Sequence, residues 1–271
     1  MREMLAGVRE SRYIAWRLFV KDLRTEYSKS VLGVVWDFID PLVLALIFWG
    51  LWRIGIIRVT GLAIPYPLFI VYGFLLYQTF VDSVLMPMFI QERSRALMAH
   101  VKLRPESMLL AVVYRVLFNH AIRAVILLGF TAFILRPAWL GGDAGIPFSP
   151  LGFALFILGS PLLILTGMAY GLVLAPFHMI YGDVGRATQI FLNPLRYASP
   201  VMYQFPNAAV HYWMMTINPI AAVLDCLRSL ATAGHATWLP QLGAWTACHV
   251  LLFLAGWLLY HLSVPIVGQR Y

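Results

Sequence analysis

Arg115, Asn119 and Arg123 are spaced four apart within an apolar stretch that runs from Ser107 to Leu135. Side chains at that spacing stack along one face of a helix. Burying an unpaired arginine in lipid costs at least ~2.5 kcal/mol on insertion scales, so the striped face must meet protein or a water-filled path. Two roles suit it. The guanidinium groups could hold the pyrophosphate of a lipid-linked sugar, with Asp82 as the one acid or base available to a transferase at that depth. Alternatively the stripe is structural, its arginines pairing with Asp82, Asp37 or Asp40 or snorkelling to a headgroup.

Aromatic residues form the second pattern. Phe38, Trp49 and Trp52 fall near one face of one apolar stretch, Phe69, Tyr77 and Phe80 near one face of the next, and Phe191 and Tyr197 lie in a later one. The apolar face of a sugar ring stacks on aromatic planes, so a lumen lined in this way passes a glycan without gripping any one unit. Interfacial belts of Trp and Tyr give the same composition. No G-x-x-x-x-G-K-[ST], H-E-x-x-H or G-x-S-x-G motif occurs. The seven histidines are scattered, and Cys226 and Cys248 suggest neither a disulfide framework nor a metal site. Without a catalytic constellation, a metal or a nucleotide cradle, the chain reads as one that moves a substrate and does not transform it.

The elements that must position these residues are membrane helices. Of 271 residues, 61% are hydrophobic and 12% charged, too little polar surface for a soluble globule. Spans of about 20 apolar residues cross the hydrocarbon core. Six are expected: 31–52, 64–90, 107–135, 149–177, 187–203 and 241–265. An even number places both termini on one side. Thirteen Lys/Arg then fall on the amino-terminal side and four, Arg53, Arg58, Arg136 and Arg228, on the other, which makes both termini cytoplasmic. The net charge of +8 accordingly faces anionic headgroups, with no nucleic-acid partner. The first thirty residues carry seven Lys/Arg and no apolar run, unlike a cleavable signal peptide.

The expected fold is all-α, one membrane domain over 1–271. Residues 11–30 repeat apolar positions at three- and four-residue intervals among basic ones, giving an interfacial amphipathic helix. Residues 91–106 form a charged cytoplasmic loop about the right length for one short helix, closed by Pro105. In 204–240, the stretches 208–217 and 220–233 each follow a proline, Pro206 and Pro219, and are too short or too polar to cross. They are expected to be re-entrant, which requires burial in protein or a wet cavity. Asp40 before Pro41 favours a bend at the membrane boundary.

RTEYSKSVLGVVWDFIDP (24–41), KLRPESMLL (102–110), NPLRYASPVMY (193–203) and WMMTINPIAAVLDCLRSLATAG (213–234) together resemble the ABC type-2 polysaccharide export permeases, closest to the capsule branch. The resemblance covers nearly the whole chain. It implies a homodimer of permeases with two separate ATPase subunits, which hold ATP and Mg while this chain holds no cofactor. A lipid-linked polysaccharide, capsular or alternatively O-antigen or teichoic in type, would pass outward across the bacterial inner membrane. Periplasmic co-polymerase and outer-membrane export proteins are further implied partners. Arg93, Arg95, Lys102 and Arg104 would belong to the ATPase-coupling segment. Pro206, Tyr212, Trp213, Pro219 and Arg228 would belong to the outer gate.

Overall fold

A computed structural model describes residues 2–27, 35–58, 62, 64–98, 104–134, 149–204 and 207–267. Its described residues form ten helices and no strand: α1 (Arg2–Tyr27), α2 (Trp36–Arg53), α3 (Tyr66–Met98), α4 (Pro105–Ile134), α5 (Pro150–Gly159), α6 (Pro161–Ile180), α7 (Asp183–Ala198), α8 (Ala208–Ile217), α9 (Ala221–Ala233) and α10 (Leu239–Val267). Four stretches are long and apolar enough to cross a bilayer: 66–94, 105–134, 150–180 and 239–264. At 1.5 Å per residue they measure roughly 39–46 Å, more than the ~30 Å hydrocarbon core. The chain is therefore a multi-pass membrane protein.

Helix α3 is the axis of the bundle. Its spanning part is 78% buried, against 11% for α10, and it packs on α2, α4, α6, α7 and α9. The reason lies in its side chains: Leu68, Phe69, Ile70, Tyr72, Leu75 and Leu76 are all at most 1% exposed, so apolar residues cover its whole circumference. Two glycines bring α6 close. A Cβ at Gly167 would stand 2.4 Å from Ser83 Cβ, and one at Gly171 would stand 2.4 Å from the Val84 carbonyl. With no hydrophobic drive between helices in lipid, this small-residue seam supplies the packing.

Helices α5 and α6 form one span broken at Ser160. Pro161 has no N–H to continue the ladder, and Ser160 turns its hydroxyl back to the Ile157 carbonyl at 2.9 Å. Helices α8 and α9 meet at 108°. Their bounds agree with the two short stretches expected from the sequence. Asn218 shapes the corner by accepting from Ile220 N at 3.0 Å and donating to the Ala198 carbonyl at 3.1 Å.

Several elements differ from expectation. The amphipathic helix begins at Arg2, well before residue 11. Ser11, Ala15, Leu18 and Phe19 face α4, while Arg12, Tyr13, Trp16, Arg17 and Lys21 are exposed, the basic and aromatic mixture of an interfacial face. Ile14, placed on the apolar face by spacing, is 45% exposed. Residues 91–98, in the charged segment expected to have room for one short helix, are helical and continuous with α3. The strong helix formers of QERSRALM carry α3 onward to Met98. The expected first and fifth spans correspond to α2, whose apolar part is Leu42–Arg53, and to α7, 16 residues with polar and apolar faces. Neither meets the length and composition of the four long helices. In α7 the extended backbone at Ser199, followed by Pro200, ends the helix after about 24 Å. Residues 28–34 of the boundary motif lie outside the described residues.

Candidate functional site

The stripe on α4 faces α3. Arg123, 1% exposed, places Nη2 2.5 Å from Asp82 Oδ2 and donates from Nη1 to Thr79 Oγ1 at 3.2 Å. Asp82 also accepts from Gln78 Nε2 at 3.0 Å and from Asn119 Nδ2 at 3.5 Å. One residue along α4, His120 lies between Thr79 Oγ1 at 3.5 Å and Ser160 Oγ at 2.7 Å. Gln78, Thr79 and Asp82 are presented by α3 at i, i+1 and i+4, so the cluster bonds α3, α4 and the α5–α6 break to one another. The arrangement is a polar tie between helices inside an apolar bundle, in which Asn119 Oδ1 meets no donor among the described residues. It takes Asp82 away from the acid–base role that a transferase would require.

Helix α9 carries another buried cation. Arg228, 3% exposed, donates from Nη2 to the Pro200 carbonyl at 2.5 Å and lays its guanidinium 3.6 Å from the Phe69 ring centre. Asp225, one turn earlier, comes to 4.0 Å from Nη1. Its Oδ2 accepts from Trp238 Nε1 at 3.0 Å and Thr237 Oγ1 at 3.3 Å. Arg228 thereby ties α9 to α3 and to the turn after α7, and Asp225 ties it to the segment leading into α10. That turn reaches α3 because residue 73 is glycine: a Cβ there would stand 2.0 Å from the Val201 carbonyl.

The described residues thus form a helical membrane bundle with an amphipathic first helix, buried polar ties and a sharply bent helix pair before the last span. Residues 12–231 match the model of the ABC-2 type transporter family. This chain belongs to that family. It is 22% identical over 219 residues to the polysialic acid transport protein KpsM of Escherichia coli, covering 80% of this chain and 81% of the relative. It is 25% identical over 220 residues to the O-antigen export system permease protein RfbA of Klebsiella pneumoniae, covering 79% and 78%.

In this ABC-2 transporter subunit the expected path residues are not gathered into one lining. Tyr77 and Phe80 are 1% and 2% exposed, Tyr77 donating to the Leu192 carbonyl. They are core residues joining α3 to its neighbours. Trp52 is half-buried against Tyr66, ring centres 5.4 Å apart. Trp49, Phe191 and Tyr197 are exposed, together with Arg186, Gln189 and Asn193 of α7. The side chain of Phe38 lies outside the described residues. Arg115, 6% exposed, shares a small cleft with Phe19 and Asp22 of α1 and Arg93 of α3.

Among the residues expected in the coupling segment, Arg93 is exposed, and Arg104 pairs at 2.5 Å with Glu10 of α1. The Arg95 side chain and Lys102 lie outside the described residues. Of the outer group, Tyr212 and Trp213 are exposed on α8, Pro219 sits in the α8–α9 corner, and Pro206 is outside the described residues.

Sequence reasoning missed three ties. Glu106, 3% exposed at the start of α4, has Oε1 2.5 Å from His261 Nδ1 of α10. His178 accepts from Gly185 N at 3.1 Å and faces Glu92 at 3.1 Å, holding the start of α7 against the end of α3. His120 joins the Arg123 cluster. Only His120 left a signal, since it neighbours Asn119 and lies three residues before Arg123.

Proposed function

We propose that this chain is the membrane-spanning permease of an ATP-driven exporter that moves a lipid-linked surface polysaccharide outward across the bacterial inner membrane. The observation that carries the reading is family membership over residues 12–231, joined by two relatives named for polysialic acid transport and O-antigen export. ATP and Mg belong to a separate ATPase subunit, two of which serve a homodimer of permeases. Both termini are cytoplasmic. Helices α2 and α7 complete six crossings within the dimer, where a partner surface or a wet lumen compensates for the polar residues of α7. Helices α8 and α9 form the outer gate, with Tyr212, Trp213 and Pro219 at its exposed surface and Arg228 at its root. The segment from Arg93 to Arg104 docks on the ATPase. Periplasmic and outer-membrane export proteins continue the route.

The two relatives differ in the polymer they are named for, so both a capsular and an O-antigen-type glycan suit this fold. The reading is tested by deletion in the native host. The expected result is intracellular accumulation of a lipid-linked glycan, with a Walker-type ATPase copurifying with the complemented protein. Normal surface glycan, with no ATPase in the purified complex, overturns it.

A further inference from the structure

The Arg228 guanidinium has two hydrogen-bonding groups, Nε and Nη1, that are shielded from bulk water and meet no acceptor among the described residues. Its nearest carboxylate oxygen, Asp225 Oδ1, stands 4.0 Å from Nη1, beyond hydrogen-bonding reach. The gap is held open from both sides. Arg228 is fixed by the Pro200 carbonyl and the Phe69 ring, and Asp225 by Trp238 and Thr237. Trp238 itself has φ 57°, a conformation that a bulky residue adopts only when its surroundings impose it. It packs against His211 of α8, ring centres 5.2 Å apart. Strain of this kind concentrates at ligand clamps.

Arg228 and Asp225 both line a cavity of 130 Å³, along with Gln204, Ser229, Thr232 and Thr237. What fits between a donor and an acceptor 4.0 Å apart is an oxygen about 2.8 Å from each that accepts from one and donates to the other. An alcohol does both. A carboxylate or phosphate meets Asp225 with like charge, and an ammonium meets Arg228 in the same way. The Arg–Asp pair is neutral in sum, so it selects a neutral hydroxylated ligand.

We propose that this outer cavity is a subsite for one neutral sugar ring, seated through a hydroxyl shared between Arg228 and Asp225. The ring's source is a unit of the exported glycan, which rests on the exporter reading. The site's chemistry does not. Occupancy places a sugar against the root of α9 and beside Trp238, where α8, α9 and the segment leading into α10 meet.

The test uses the full chain with its ATPase partner in lipid nanodiscs and saturation-transfer NMR. Methyl α-glucoside, methyl α-galactoside and methyl α-mannoside are the neutral probes, glucuronate is the acidic one, and inorganic phosphate is an acidic competitor. At least one neutral glycoside is expected to give a transfer signal that falls at least fivefold in Arg228→Gln and in Gln204→Trp. The second variant fills the cavity without removing either member of the pair, so it decides the matter if the first does not fold. A stronger signal from glucuronate, displacement of the glycoside by phosphate, no signal from any neutral glycoside, or a signal unchanged in Gln204→Trp overturns the subsite; no signal means that the cavity holds water only, an unchanged one that the sugar sits elsewhere. In cells, Gln204→Trp is expected to lower surface glycan at unchanged protein abundance. If the deletion strain exports glycan normally, the exporter reading fails, and the NMR result alone still decides the subsite.

Discussion

Replacing Arg123 with methionine removes the cation from Asp82 but leaves a side chain of similar length between α3 and α4. Asp82 then keeps its bonds to Gln78 at 3.0 Å and Asn119 at 3.5 Å while losing the 2.5 Å contact, so its charge is hydrated by amides alone. Breaking a buried pair in this way costs about 3–5 kcal/mol. The two remaining donors argue for the lower end. A loss of about 3 kcal/mol corresponds to roughly 6–12 °C in melting temperature for a chain of this size. Asp82→Asn should lose less, because an amide accepts from Arg123 and leaves a cation that also reaches Thr79 at 3.2 Å. The double variant Asp82→Asn/Arg123→Met leaves no buried charge and should recover most of the single-variant loss. The assay is thermal unfolding of the purified protein in detergent, paired with surface-glycan measurement in cells. The structural account requires export to follow stability across the three variants. A double variant with near wild-type melting and abolished export would refute it and assign the pair to the substrate.

Three further outcomes follow from the geometry. Gly167→Val places a side chain against Ser83, where a Cβ already stands at 2.4 Å, and should separate α6 from α3; the expected readout is a melting temperature lower by ten degrees or more and reduced abundance. Arg104→Glu breaks an exposed pair with Glu10 and should change stability by less than about 1 kcal/mol; loss of ATPase copurification at normal melting would support its docking role, and normal transport would remove it. A single cysteine at Asn207 should react with an impermeant maleimide added to intact spheroplasts, whereas one at Arg12 should react only after permeabilisation. The reverse pattern would invert the topology.

The long spans were legible because lipid demands unbroken apolar length, and the α8–α9 corner because Asn218–Pro219 punctuates two short stretches. The Arg123–Asp82 pair was visible only as one of several carboxylate choices, since helix spacing fixes a face but not which neighbour it meets. Tyr77 and Phe80 show the same limit: an aromatic at a lumen and one in a core have the same sequence pattern, and in this structure both are buried. The continuity of α3 to Met98 was not legible, because charge marks the end of a span but not of a helix, and the residues of QERSRALM favour helix whether or not lipid surrounds them. Glu106 and His261 are 155 positions apart, and no local rule joins them.

That pairing has a consequence for biogenesis. Gly7 of α1 lies so near Glu106 that a Cβ would stand 3.2 Å from its side chain, and His261 approaches the same carboxylate from α10. The first helix is synthesised long before its docking site on α4 exists, and the histidine emerges from the ribosome only after every other described helix has been made. A nascent chain halted before residue 261 carries Glu106 without its partner on α10, so this buried contact is the last of the described ties to close.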